Sequence, residues 1–497
     1  MSVGQWVDER LGSAHFVRKS LDKAFPDHWS FLFGEIALYC FVVLVVTGTF
    51  MALFFDASSQ PVVYNGSYRA LDGVTMSSAY SSVIALSFDV RLGLMMRQMH
   101  HWAALLFVGS IVAHLGRIFF TGAFRKPREI NWLIGCTLLL LALFNGFTGY
   151  SLPDDLLSGT GLRIAYSIVV SIPVIGTWMA FLLFGGQYPA RATLGRLFFA
   201  HVFLVPLAIF ALLSAHLAVI WRQKHTQFPG EGRREDNVVG SHFWPTYAAK
   251  SVAMGGFVAA ICALLGGLVQ INPVWLYGPY SPAAVTTAAQ PDYYVGWLEG
   301  ALRLAGPWLV RIGPYTISEL FWPAIVLPGI VFTLLYAWPW IERRFTHDYA
   351  VHNLLDRPRE RPVRTSIGVL ALTFFIVLTL AGGQDVIADL AHVSITSVTL
   401  TLRIMVVVAP LLAGAITWKW CHDLQAADAL ERERAEGEPP EPPARPQSRV
   451  ARGLRGLLAT AFGAALLAAL AAVGRALRPG RAARQRSASG ARSGSTS

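Results

Sequence analysis

Eight stretches of the chain are apolar over about the 20 residues that a helix needs to cross a hydrocarbon layer about 30 Å thick. They lie at 33–55 (A), 95–116 (B), 131–150 (C), 196–221 (D), 249–270 (E), 319–338 (F), 365–383 (G) and 400–420 (H). The pattern predicts an all-α polytopic membrane protein with eight transmembrane helices. Between C and D, residues 151–195 open with SLPDDLLSGTG and hold a moderately apolar stretch, which predicts short helices on the membrane surface rather than a span. Between E and F, residues 271–318 are rich in Pro and Gly and contain QPDYYVGWLEG. Residues 1–32 are charged and amphipathic, and no cleavable signal is expected there. From 422 to 497 the character changes again: ERERAEGEPPEPPARPQ reads as a charged, Pro-rich linker of the disordered kind. The Ala-rich stretch 456–474 that follows is expected to lie in the interface or to attach loosely, because a span there would carry the basic tail outside.

Composition agrees with the pattern: 497 residues that are 54% hydrophobic and 14% charged, with a mean hydropathy of +0.47, exclude a soluble domain of this size. The net charge of +11 suggests nucleic acid until its placement is considered. Arg117, Arg125, Lys126 and Arg128 lie between B and C, Arg222, Lys224, Arg233 and Arg234 between D and E with Lys250 at the start of E, and six arginines between F and G. The alternate loops carry at most two each. This is the positive-inside pattern of a cell-membrane protein with both termini cytoplasmic, so 151–195 and 271–318 are expected outside and no nucleic-acid partner is assigned. The four cysteines are isolated and offer no zinc site, redox CxxC or CxxCH attachment.

Helices B and D each carry histidines near both ends. His100 and His114 are 14 residues apart on B, which leaves them roughly 40° out of line on one face and about 21 Å apart along the axis. His101 points some 140° away from His114 and is the poorer partner, again at about 100° per residue. His201 and His216 are 15 apart on D, about 60° out of line and roughly 22 Å apart. Two such helices side by side offer one imidazole pair near each membrane surface, and bis-imidazole coordination of two haems is the economical reading. A lone membrane histidine is more often a packing residue or part of a proton path; two matched pairs argue otherwise.

Gly34 and Gly48 on A, and Gly135 and Gly149 on C, repeat the 14-residue interval. A helix facing a flat macrocycle needs contacts without side chains, so A to D are expected to form a haem-binding four-helix bundle over 33–248, with E to H over 249–421. Arg97, Arg117 and Arg196 stand near the histidines and suit haem propionates.

With these residues in view the chain resembles cytochrome b, the membrane subunit of bc-type quinol:cytochrome c reductases. The likeness covers about residues 1–425. It is carried by Gly34/Gly48, His100/His114 with HLGR, Gly135/Gly149 with GYSLP, RLFFAHVFLVP with His201/His216, and PDYY at 291–294. PDHWSFLFGEIALY, LPDDLLSGTGLR and DYAVHNLLDRPRERPVRT are similar to actinobacterial members, which implies menaquinol as donor and menaquinone as inner acceptor.

The resemblance implies two b haems, a low-potential outer one on His100 and His201 and a high-potential inner one on His114 and His216. It implies quinol oxidation at the outer site, one electron going to a Rieske iron–sulfur subunit and the other across the membrane to an inner quinone site, coupled to proton translocation. It also implies a cytochrome c subunit, a possible terminal oxidase in a supercomplex, and a homodimeric complex.

Two departures from the family pattern stand out. The outer motif is usually PEWY; here Pro291, Asp292, Tyr293 and Tyr294 give a carboxylate one methylene shorter. Asp292 and Tyr294 are the expected catalytic pair with Pro291 in the quinone site, and an aspartate is a useful base only where its surroundings are apolar and partly dry. Asp292 also reads as a helix cap. Ser251 stands where many relatives have an Asp near the inner quinone, leaving Lys250 and His225 as further polar groups there. The competing readings are a proton- or metal-coupled transporter with histidine relays, a transmembrane haem reductase of another family, and a haem-binding duplicate without quinol chemistry.

Overall fold

The computed structural model describes residues 2–284 and 290–437. Two short amphipathic helices, α1 (Val3–Leu11) and α2 (Ser13–Leu21), precede the first membrane helix α3 (Leu32–Ala52). There follow α4 (Ser78–Phe88), α5 (Gly93–Phe120), α6 (Glu129–Tyr150), α7 (Leu156–Val170) and α8 (Gly176–Phe184). The next helix is continuous but changes gauge: α9 (Thr193–Phe199) passes through a π-helical turn, Ala200–Leu204, into α10 (Val205–Gln223). The second half comprises α11 (Ala248–Leu268), α12 (Tyr293–Leu304), α13 (Leu327–Thr346), α14 (Pro362–Gly382), α15 (Gln384–Ala391) and α16 (Ile395–Gly437).

Eight helices among the described residues are long and apolar enough to cross a membrane, matching the eight stretches of the hydropathy pattern. Their outer faces are apolar as well: Val46 is 63% exposed, Phe210 61% and Ile404 63%, a surface that water would not tolerate over this extent and lipid does. The segment 151–195 forms α7 and α8, two short helices rather than a span.

Between membrane helices close packing of small residues does the work that apolar burial does in water. Cys40 on α3, Ala103 on α5 and Cys262 on α11 are fully buried in one cluster that locks these three helices together. Val108, Ala142 and Tyr294 join α5, α6 and α12, while Phe41, Val205 and Ile209 bring α10 against α3. Gly300 on α12 lies so close to the Leu378 backbone of α14 that a β-carbon would overlap the carbonyl. The loop helix α12 is thereby held against the membrane domain rather than over it.

One boundary differs from expectation. The last membrane helix does not stop near 421 but runs as α16 to Gly437, taking in the first part of the charged segment. AADALERERAE consists largely of strong helix formers, and the extension is tied down by Arg359–Asp428 at 3.0 Å and by Gln425 Nε2 donating to the Arg359 carbonyl at 2.7 Å. The rest of the Pro-rich linker and the stretch 456–474 lie outside the described residues.

Candidate functional site

The four histidines meet as two pairs. The His100 and His201 ring centroids are 6.2 Å apart with planes at 66°, and those of His114 and His216 are 6.5 Å apart at 73°. On straight α-helices the 15-residue interval of the second helix would rotate its histidines out of register with the 14-residue interval of α5. The π turn at Ala200–Leu204 contains His201 and absorbs one extra residue, so the interval acts as 14. Pro206, without an N–H to give back to the preceding turn, marks the place.

Each ring abuts a glycine. A β-carbon on Gly48 would lie 3.1 Å from His100 Cε1, one on Gly34 3.1 Å from His114 Cε1 and one on Gly135 3.7 Å from His216 Cε1; on Gly149 it would overlap the His201 ring. All four glycines of the 14-residue pattern thus stand against the four histidines, Gly34 and Gly48 of α3 against α5, Gly135 and Gly149 of α6 against α10 and the π turn.

In the first pair the Nδ1 atoms are engaged. His100 Nδ1 is 2.9 Å from Thr47 Oγ1, and His201 Nδ1 is 2.9 Å from the Asn145 carbonyl and 3.3 Å from Thr148 Oγ1. That fixes each ring and leaves Nε2 for a ligand.

The pairs fit a b-type haem. Two metal–imidazole bonds of about 2 Å, plus about 1.2 Å from each nitrogen to its ring centre, give a centroid separation of about 6.4 Å. The glycines supply flat walls, and two arginines, Arg97 buried and Arg117 partly buried, lack anionic partners. Arg97 donates through both Nη atoms to the Asn272 carbonyl at 3.2 Å, with Nε unpartnered. Arg117 lies 4.1 Å over the Phe31 ring, with Nε and Nη2 unpartnered. Haem would be held by the imidazoles, with propionates within the chemistry of Arg97 and Arg117. Arg196 does not join them: it is exposed and donates to the Phe181 and Leu182 carbonyls at the end of α8. The orphan carbonyls of a helix C-terminus attract a nearby cation, which sequence spacing alone cannot reveal.

A cavity of about 270 Å³ adjoins the first pair, lined by His100, His201, Gly48, Gly149, Arg97, His101, Asp292 and Tyr294. Asp292 stands at the N-cap position of α12, yet its side chain makes no capping bond. Its Oδ1 is 2.8 Å from His101 Nε2 and its Oδ2 accepts from the Tyr294 hydroxyl at 2.9 Å. Burial and the adjacent carboxylate push the Tyr294 phenol well above its usual range, so it remains a donor. Tyr293 donates to the Leu105 carbonyl at 2.8 Å, its phenol raised to about 12 by the same two causes. Trp297 stacks edge-on against Phe375 at 5.3 Å.

The start of the PDYY segment is anchored from below. Gln290 Nε2 donates to Asp385 Oδ1 at 2.6 Å, and Arg303 Nη1 reaches the same oxygen at 2.8 Å. His101 is the residue that sequence reasoning set aside. Its direction, away from the face shared by His100 and His114, is what aims it at α12, and no periodicity connects residues 191 apart.

At the other end of α3, Ser251, Lys250 and His225 do not converge on one point. Lys250 pairs with Asp27 at 2.8 Å on a half-exposed rim. His225 packs on Phe25 at 4.4 Å, its imidazole held neutral down to about 4 by burial and by Arg128, Arg117 and Lys23. Ser251 Oγ donates to Glu35 Oε2 at 3.0 Å and lies 2.9 Å from the Tyr39 hydroxyl. Tyr247 donates to Glu35 Oε1 and stacks on Phe25 at 4.3 Å. Glu35 was legible only as an acid inside an apolar run, the kind of residue that membrane helices retain at a cost.

With this geometry in place, comparison with known proteins is informative. The family model for cytochrome b (N-terminal)/b6/petB matches residues 105–279. The cytochrome bc1 complex cytochrome b subunit of Corynebacterium efficiens is 51% identical over 427 residues, 86% of this chain and 79% of that protein. That of Mycobacterium tuberculosis is 52% identical over 423 residues, 85% and 77%. That of Streptomyces coelicolor is 44% identical over 427 residues, 86% and 78%. A solved chain titled "Hyperthermophilic respiratory Complex III" superposes with a TM-score of 0.62, covering 84% of this chain and all of that one at 20% identity, a likeness of fold.

Proposed function

Since the chain belongs to the cytochrome b subunits of bc1 complexes, which are quinol:cytochrome c oxidoreductases, we propose that it is the di-haem, menaquinol-oxidising member of such a complex. The observation that carries the reading is the pair of matched imidazole gaps, each walled by two glycines. Residues 33–248 form the haem-binding four-helix bundle, and the helices from α11 to α16 complete the quinone sites. His100 and His201 hold the low-potential outer haem and His114 and His216 the high-potential inner one, while Arg97 and Arg117 neutralise propionates. When bound, the haems supply a path for one electron of each quinol across the membrane.

The protein's own part at the outer site is acid–base chemistry. Quinol cannot release two electrons without losing two protons. Asp292, kept off its helix by His101 and Tyr294, is the carboxylate able to take one and turn to release it. Pro291 begins the segment, and Tyr294 holds Oδ2 ready to turn. A Rieske iron–sulfur subunit takes the other electron toward a cytochrome c subunit, with a terminal oxidase beyond, and the complex is a homodimer. At the inner site the quinone lies by Ser251, with Lys250 at the rim on Asp27 and His225 set back against Phe25. The excess of basic residues in alternate loops supports a cell-membrane protein with both termini cytoplasmic.

The test is a reduced-minus-oxidised spectrum of the purified complex with a menaquinol analogue as reductant. Two b-type signals reduced by the quinol are expected. A spectrum without b-type signals would return the histidines to a transporter, and two haems that quinol cannot reduce would fit a duplicate without quinol chemistry.

A further inference from the structure

Glu35 carries an observation that the family reading does not absorb. It sits in the first turn of a membrane helix, one residue after the glycine that faces His114, and no cation pairs with it among the described residues. Instead two facing helices each present two groups one turn apart, Glu35 and Tyr39 on α3, Tyr247 and Ser251 at the start of α11. They close into one hydrogen-bonded set: Tyr247 to Glu35 Oε1, Ser251 to Glu35 Oε2 at 3.0 Å, and Tyr39 beside Ser251 at 2.9 Å. Every member is only partly buried. A carboxylate inside a membrane segment is costly, and it is retained where it binds or moves protons.

The neighbouring candidates are committed elsewhere. Lys250, next to Ser251, turns to the rim to pair with Asp27 at 2.8 Å and contacts Ser241 Oγ at 3.2 Å. His225 faces Phe25 among the cations Arg128, Arg117 and Lys23, an environment that opposes its protonation. A base that cannot load a proton is a poor donor.

We propose that Glu35 is the proton donor of the inner quinone site, acting with Ser251, and that it supplies from α3 the carboxylate that α11 lacks at residue 251. The inference rests on the inner-site reading above. In the reaction one quinone gains two electrons, one from each of two quinols oxidised at the outer site, and two protons, giving one quinol. Glu35 gives one proton to a quinone oxygen and is reloaded from cytoplasmic water at the rim marked by the Lys250–Asp27 pair; the second proton is drawn from the same water.

The experiment follows the inner b signal in the purified complex: reduce it through the outer site with quinol, then add a menaquinone analogue and time its reoxidation. Glu35→Gln keeps the hydrogen-bonding shape without the exchangeable proton. It should slow reoxidation on the order of 100-fold, the usual contribution of a positioned acid, while reduction through the outer site is unchanged. Glu35→Asp, ionisable but one methylene shorter, should fall between. Either variant reoxidising at the wild-type rate with both b signals present would overturn the proposal. So would loss of a haem in both variants, which would assign Glu35 to holding the fold. A wild-type inner signal that quinone cannot reoxidise would instead remove the inner site itself.

Discussion

His101 Nε2 lies 2.8 Å from Asp292 Oδ1, joining residues 191 apart in the chain and linking α5, which carries His100 and His114, to the loop helix α12. Both side chains are largely shielded, at 14% and 16% exposure. The contact explains why a residue at a helix N-cap position does not cap: each carboxylate oxygen already has a partner, Tyr294 occupying the second. A capping bond is worth about 1 kcal/mol, and two hydrogen bonds to a carboxylate outweigh it.

Asp292→Asn should therefore lower quinol oxidation about 100-fold or more while both haem spectra and assembly survive. Tyr294→Phe removes one hydrogen bond and should cost about 10-fold. Turnover with a menaquinol analogue measures both; wild-type turnover in the asparagine variant would show that Asp292 is not the base.

The glycines predict a graded series. A β-carbon on Gly149 has no room beside His201, one on Gly48 is tight against His100, and one on Gly135 keeps an ordinary 3.7 Å contact with His216. Gly149→Ala should lose the outer b signal, Gly48→Ala should weaken it, and Gly135→Ala should leave the inner signal near wild type. Equal spectra across the three would mean that the rings move freely and the glycines serve only helix packing.

The loop behind the outer cavity carries a pH signature. Asp155 is 1% exposed and caps α7 through Ser158 at 3.2 Å. Burial pushes its carboxyl from the ordinary 3.8 up to about 6. The folded state thus holds this proton more tightly than the unfolded chain. Its stabilising contribution is fully present below about 3.8 and is lost as pH rises through about 6, a swing of at most about 3 kcal/mol. Asp155→Asn keeps a capping group and removes the titration. The thermal midpoint of the purified complex should fall less between pH 4 and pH 7 in the variant; parallel profiles would contradict this.

Much of this was legible in the sequence because membrane helices are written in long apolar runs and because a periodic helix turns residue intervals into directions. Residues 100 and 114, and the glycines that face them, could be placed that way. The 15-residue interval from His201 to His216 was misleading by one residue, since a π turn is not visible in hydropathy; Pro206 was its only trace. His101, Glu35 and the turning away of Arg196 depend on which loop or helix lies opposite, and that is decided by tertiary packing rather than by spacing. The helical continuation to Gly437 was masked by the prolines that follow it.

The topology read from the charge pattern has its own test. A cysteine placed at Arg233, in the basic segment between α10 and α11, should resist a membrane-impermeant thiol reagent applied to intact cells and react after permeabilisation. Labelling from outside would invert the assignment of both quinone sites.

The central claim is that residue 100 works with 201 and residue 114 with 216, at two separate haems. The most direct measurement is a potentiometric titration of the b signals in complexes carrying His201→Ala or His216→Ala. The account predicts that His201→Ala removes the low-potential component, as His100→Ala does, and leaves the high-potential one reducible; His216→Ala and His114→Ala should do the reverse. Loss grouped as 100 with 216, or a single component lost by all four variants, would contradict it.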